Sequence, residues 1–242
     1  MMSVRERFAL EAKEYFGRRP AFISSAPARA DLFNTHQDYK MLPVIPIALN
    51  LRLYFFAIPI DEKRILARSG DLWKSGEEKD VEIDLANPSI SSHDFGGYLS
   101  AILRVLGKFV RAFEAKGLKI YTRSEIPMAA GMASSGALEV AFLKLLDGTL
   151  SMGLTDDTIA EYSYLAESYD LGIPCGRLDQ YASTFGGAII LRQKPVVSVE
   201  RLPMPDAKFV VIDSGEKRRT EAIHPLRPVS YTHLRAHETG RN

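Results

Sequence analysis

One stretch constrains this chain more than any other: residues 126–143, reading IPMAAGMASSGALEVAFL. Within residues 130–136 every residue except Met132 is Gly, Ala or Ser, and Leu138, Ala141, Phe142 and Leu145 follow at helical spacing. The pattern predicts a small-residue loop that opens directly into a helix. Backbone N–H groups of such a loop meet a ligand without side-chain obstruction, and the helix adds unpaired donors and the positive end of its dipole. That combination suits an anion, most often phosphate. A tight strand-to-helix turn has the same composition, so the loop alone leaves both readings open. The Walker pattern GxxxxGK[ST] occurs nowhere in the chain, and a phosphate cradle here is therefore of another design.

Composition narrows the partners. The chain has 242 residues, 46% of them hydrophobic, enough to bury a sizeable core in one large domain or two small ones. Its 31 basic and 30 acidic residues leave a net charge of +1, which favours neither nucleic acid nor an anionic membrane as a partner. The Lys217, Arg218, Arg219 run reads as a solvated surface. A single cysteine, Cys175, excludes an intrachain disulfide framework and suits a reducing compartment. Arg5, Glu6, Glu11, Lys13 and Glu14 interrupt any signal-peptide core, and the apolar runs, including that at residues 54–60, are too short to span a bilayer. The expectation is a cytoplasmic protein.

Along the chain, Val4, Phe8, Ala12, Tyr15 and Phe16 predict an amphipathic opening helix with Gly17 as its stop. From residue 21 onward Pro27, Pro43, Pro46 and Pro59 exclude a long helix, and short extended segments are expected, with a strand over 51–60. Further strands are expected at 64–68 and 81–85, a long helix at 95–116 stopped by Gly117, and a strand at 118–123 leading into the small-residue loop. A helix over 155–169, capped by Thr155, Asp156 or Asp157, precedes closing strands at 187–191, 196–199 and 209–213. Helices and strands mix without regular alternation, which argues for an α+β fold.

Two polar clusters carry candidate chemistry. Arg29, His36 and Asp38 lie in APARADLFNTHQDYKMLPVIP, where they suit a hydroxylated ligand held by charge-assisted hydrogen bonds. A solvated loop with local side-chain-to-backbone bonds fits the same residues. The second cluster, PCGRLDQ at 174–180, follows Glu167. Glu167 and Asp179 suit a magnesium ligand and a base, or else a helix-end charge and a surface carboxylate.

Taken together, three segments resemble the galactokinase-type branch of the GHMP kinases. The family's GRVNLIGEHTDYNGG signature is matched by ARADLFNTHQDY at residues 28–39. Its Pro-x-x-x-Gly-Leu-Ser-Ser-Ser-Ala loop is matched from Pro127 to Gly136, and its Gly-x-Pro-Cys-Gly-x-x-Asp-Gln block from Gly172 to Gln180. Residues 210–215 resemble the strand that follows in galactokinases, so the likeness runs over about residues 23–219. The resemblance implies an amino-terminal GHMP-kinase domain, a mixed β-sheet packed against helices, at residues 1–227. It implies an ATP-dependent kinase that phosphorylates a sugar's anomeric hydroxyl.

The same resemblance assigns roles. Asp179 and Arg29 match the catalytic pair at the sugar hydroxyl, and both count as substrate-binding together with His36 and Asp38. Gly131, Met132, Ala133, Ser134, Ser135 and Gly136 match the loop that wraps the ATP phosphates, and Ser135 and Glu167 match the magnesium ligands. Departures are equally specific. Thr35 stands where the family has the glutamate that contacts the far end of galactose, and Asn34 where it has glycine, so a sugar lacking or modifying that hydroxyl is expected. Met132, Ala133 and Gly136 replace Leu, Ser and Ala. Family members continue into a second domain that helps close the nucleotide site, and residues 228–242 resemble an in-frame translation of a cloning or sequencing adapter. The expectation is a chain without the carboxy-terminal domain, carrying a non-native or disordered tail and giving no measurable turnover by itself. A non-catalytic sugar and ATP sensor of the same descent is the alternative, although a sensor need not keep Arg29, Ser135, Glu167 and Asp179.

Overall fold

The computed structural model describes residues 2–212, apart from 35–36, 77–79, 91, 111–115, 128–129, 205–207 and 211. Its elements are α1 (Val4–Phe16), β1 (Phe22–Phe33), a 3-10 turn at Asp38–Lys40, β2 (Ile45–Pro59), β3 (Arg64–Ser69), α2 (Gly70–Ser75), β4 (Val81–Asp84) and α3 (Phe95–Phe109). They continue with β5 (Leu118–Ser124), α4 (Ser134–Leu150), α5 (Asp156–Leu165), a π-helical segment at Ala166–Asp170, α6 (Leu178–Phe185), β6 (Ala188–Arg192) and β7 (Ser198–Leu202). The strands form one mixed sheet in the order β4-β3-β5-β2-β6-β7, with β1 paired antiparallel to β2. Only β3 and β5 run parallel among these pairings. This is the expected α+β arrangement.

The apolar run of β2 follows from its position at the centre of that sheet. Leu53, Phe55 and Ala57 face the main core with α3 and α4, whereas Tyr54 and Phe56 face Phe8 and Ala12 of α1. Alternate residues point to opposite faces of a strand, so a strand covered on both faces must be apolar throughout. Ser3 and Glu6 form a reciprocal capping box that opens α1, and left-handed Gly17 ends it. On the other face of the sheet α4 is buried almost all round, with Ala137, Val140, Ala141, Phe142 and Leu143 fully enclosed. Among the described residues no helix is long and apolar enough to cross a membrane.

Several boundaries differ from expectation. The helix predicted over 95–116 ends at Phe109, with Val110 extended. Leu106 is its last fully buried residue and Phe109 is exposed, while residues 111–115 of the expected helix lie outside the described residues. Gly117 lies instead against the Ile60–Glu62 turn, where a Cβ would sit 1.8 Å from the Glu62 carbonyl oxygen. The helix predicted over 155–169 divides into α5, with Thr155 as its N-cap, and the π-helical segment. Residues 209, 210 and 212 carry no strand, while 211 and 213 lie outside the described residues. The residues on either side of the expected boundary at 227 also lie outside the described residues.

Candidate active site

The site grows from an interruption in β1. Pairing with β2 shifts register between Pro27 and Arg29 and again between Asp31 and Phe33. Pro27 has no N–H to give a ladder, and bulges of this kind re-aim the side chains beside them. Arg29 emerges between the two shifts and is 9% exposed. Its Nε donates to Asp179 Oδ1 at 2.8 Å and its Nη2 lies 2.7 Å from the same oxygen. Its Nη1 donates to the Gly131 carbonyl at 2.6 Å, its Nε lies 3.1 Å from Asp31 Oδ1, and its backbone N–H donates to the Met132 carbonyl at 3.2 Å. Burial opposes the guanidinium charge, but Asp179 and Asp31 outweigh it and raise the Arg29 pKa, so the cation is permanent.

Arg29 thereby ties the small-residue loop to the sheet. Gly131 has φ +75° and Ala133, the N-cap of α4, has φ +59° and ψ +49°, both left-handed. No side chain caps α4. Its first-turn N–H groups therefore face the loop as donors, as an anion site requires. At Gly136 a Cβ would lie 3.0 Å from Asp179 Cβ, so α4 and α6 meet here with almost no space between them. The loop residues Gly131, Met132, Ala133, Ser134, Ser135 and Gly136 thus stand beside Arg29 and Asp179.

Behind the loop lies a buried carboxylate cluster. Glu167 projects from the π-helical segment, a kind of local widening that recurs at functional sites, and is 5% exposed. It accepts a hydrogen bond from Gln180 Nε2 at 2.5 Å, Tyr98 Oη lies 3.5 Å from its Oε1, and the nearby Ser135 and Cys175 side chains act to lower its pKa. The same Gln180 Nε2 donates to Glu139 Oε2 at 2.9 Å. Burial, reinforced by the charge of Asp179, pushes Glu167 up to about 7. Burial and the neighbouring Glu167 also raise Glu139 well above the usual carboxylate range. Ser135 and Glu167 present the hard oxygen donors that a magnesium ion takes.

Asp38 is 5% exposed and sits at the start of α6. Its Oδ2 accepts from the Leu178 N–H at 3.4 Å, and a Cβ on Gly176 would fall 1.7 Å from that oxygen, which accounts for the glycine. Gln193 Nε2 holds the Asp38 carbonyl at 2.6 Å. Asn34 has φ +62°, and its side chain donates to the Pro43 carbonyl at 2.9 Å. A left-handed position explains why the family has glycine there and why asparagine substitutes for it. His36 lies outside the described residues. Arg177 fixes the third segment to α5 through two bonds to Glu161 at 2.8 and 2.7 Å.

The structure therefore brings together Arg29, Asp179, the loop, Ser135, Glu167 and Asp38. Sequence reasoning assigned no part to Asp31, Glu139 or Gln180. The available signal for Glu139 was an acidic side chain inside the apolar run ALEVAFL, and for Gln180 its place among Leu178, Tyr181 and Phe185, whose helical spacing was not read as α6.

Comparison with known proteins agrees with this geometry. Residues 100–187 match the GHMP kinases N terminal domain, and residues 13–59 match the galactokinase galactose-binding signature. Galactokinase of Chloroflexus aggregans is 28% identical over 232 residues, covering 89% of this chain and 58% of its own length. Galactokinase of Pyrococcus furiosus is 29% identical, covering 80% of this chain and 53% of that protein. The crystal structure of Lactococcus lactis galactokinase complexed with galactose superposes with a TM-score of 0.74 at 24% identity, over 83% of this chain and 52% of that one. The chain spans about half the length of the curated relatives it matches. The chain thus carries a match to the GHMP kinases N terminal domain over residues 100–187 and to the galactokinase galactose-binding signature over residues 13–59, and it shares the fold of its structural neighbour.

Proposed function

We propose that this chain serves an ATP-dependent sugar kinase of galactokinase type, which transfers the γ-phosphoryl group to a sugar's anomeric hydroxyl. The observation that carries the reading is Arg29, which holds the loop at Gly131 and the carboxylate of Asp179 at the same time. That double contact supports a phosphate site beside a base, as phosphoryl transfer needs positioning and charge neutralisation more than covalent chemistry. The galactose-binding signature and the relatives' names support a hexose, while Thr35 in place of the family's glutamate points to one altered at the far hydroxyl.

In this reading the backbone donors of residues 131–136 and the start of α4 receive the ATP phosphates. Asp179 takes the proton of the attacking hydroxyl, or stabilises its developing charge, and Arg29 favours the alkoxide. His36 and Asp38 orient the sugar. Among the described residues no group of three or more His, Cys, Asp or Glu is arranged to hold a metal unaided. Two oxygen donors, of Ser135 and Glu167, nevertheless fit an ion that keeps most of its positions for water and phosphate. Magnesium on Ser135 and Glu167 would supply charge neutralisation at the phosphates. Residues 1–227 form the N-terminal unit in this reading and 228–242 stand apart from it, in a cytoplasmic protein whose partners are the sugar and ATP.

Calorimetric titration with ATP and magnesium tests the reading. The chain is expected to bind, and Gly131→Val to lose binding, because a β-branched side chain fills the phosphate space and resists φ +75°. Equal affinity in the two proteins, or none in the parent chain, would overturn it.

A further inference from the structure

Three buried polar groups lie behind the loop with no part in the chemistry above except through Glu167. Glu139 and Gln180 are 0% exposed, and Glu167 is 5% exposed. Such groups are costly to bury, and an apolar side chain of similar volume would fill the space at lower cost. Their arrangement is specific. The two N–H donors of one amide separate two carboxylates, with Gln180 Nε2 at 2.9 Å from Glu139 Oε2 and 2.5 Å from Glu167 Oε2. Glu139 lies four residues after Ser135 on α4, which puts both on one face of the helix, one turn apart. Ser135 lies near Glu167, and Glu139 reaches Glu167 through Gln180.

Gln180 also follows Asp179 on α6, so the first turn of that helix is gripped from two directions. Arg29 holds Asp179, and the two glutamates hold Gln180. Loss of the Glu139 acceptor would leave Gln180 with a single acidic partner and free to turn toward Glu167.

We infer that Glu139 is a positioning residue, which fixes the carboxylate of Glu167 toward the metal and phosphate end of the site through the side-chain amide of Gln180. The inference rests on the kinase reading for its purpose, although not for its geometry. Acting through the amide, Glu139 needs an acceptor oxygen and not a charge. Glu139→Gln keeps that oxygen, whereas Glu139→Met removes it at similar volume.

Manganese, standing in for magnesium, is titrated into the chain with ATP present and followed by loss of the free-ion EPR signal. ATP affinity without metal and hydrogen exchange of residues 166–170 are measured alongside. Glu139→Met is expected to weaken manganese binding about tenfold or more, the usual consequence of losing a partner behind a metal ligand. Metal-free ATP affinity should stay unchanged, exchange at 166–170 should quicken, and Glu139→Gln should remain within about threefold of the parent by the same reasoning. Parent-like manganese binding and exchange in Glu139→Met would overturn the inference. So would a Glu139→Gln protein as impaired as Glu139→Met, since that result makes Glu139 itself a charged ligand. If the parent chain binds no manganese, the kinase reading fails and hydrogen exchange alone decides the positioning role: quickened exchange in Glu139→Met but not in Glu139→Gln supports it, and any other pattern overturns it.

Discussion

Arg29 and Asp179 are 150 residues apart in the chain and 2.7 Å apart in the fold. The arginine reaches Asp179 with two nitrogens, and its third grips the loop carbonyl of Gly131. Any displacement of Asp179 is therefore felt at the loop, and the site behaves as one unit.

Asp179→Asn separates a chemical role from a structural one. It preserves size and hydrogen bonding but removes charge and basicity. In the chain joined to the carboxy-terminal half of a curated relative, kcat is expected to fall roughly 10²- to 10⁴-fold with little change in the KM for ATP. Steady-state kinetics beside thermal melts check this. A near-normal kcat with a lowered melting temperature would assign Asp179 to holding Arg29 and the loop.

Ala133 occupies the left-handed region at φ +59°, where an L-residue with a Cβ is strained and glycine is not. Ala133→Gly is expected to stabilise the chain by roughly 0.5 to 1 kcal/mol, the middle to upper part of the cost of that region less the added freedom of the unfolded chain. Urea unfolding at neutral pH measures it. A destabilised variant would show that the Ala133 methyl, which is 7% exposed, contributes more by packing than it costs in strain.

Glu11 joins α1 to the sheet and to α2, accepting from Tyr121 at 3.0 Å and Lys74 at 3.0 Å and pairing with Arg123 at 3.0 Å. Burial pushes its carboxyl up, but the hydrogen bonds from Lys74 and Tyr121 and the charges of Arg123 and Lys74 outweigh it and hold the pKa below the ordinary 4.5. A depressed folded pKa means stability present above the unfolded value and lost as pH falls through the folded one. The stability gap between the parent and Glu11→Gln is thus expected to be widest above pH 4.5 and to narrow below it. Urea melts of both proteins between neutral and acidic pH check the sign, and a gap that does not change with pH would contradict it.

Local patterns in this sequence reach far. The spacing of Val4, Phe8, Ala12 and Phe16 with Gly17 behind them gave α1 to the residue, and the small residues before Leu138 placed the loop and α4. Arg29, Ser135, Glu167 and Asp179 were expected as a set only through the resemblance to the galactokinase-type signatures. The end of α3 was not legible, since apolar Val110 follows Phe109 without a break in the pattern, and only the folded chain gives Val110 its extended backbone.

The bridge from Glu139 through Gln180 to Glu167 belongs to the tertiary structure alone. Sequence spacing puts Glu139 beneath Ser135, but a glutamate there reads equally as a solvated charge. What makes it part of the site is that α4, the π-helical segment and α6 converge on one enclosed space, where water cannot satisfy a carboxylate and another side chain must. The register shifts that aim Arg29 are of the same kind. The chain supplies the arginine, but whether it meets Asp31, Asp179 and the Gly131 carbonyl at once depends on how β1 pairs with β2.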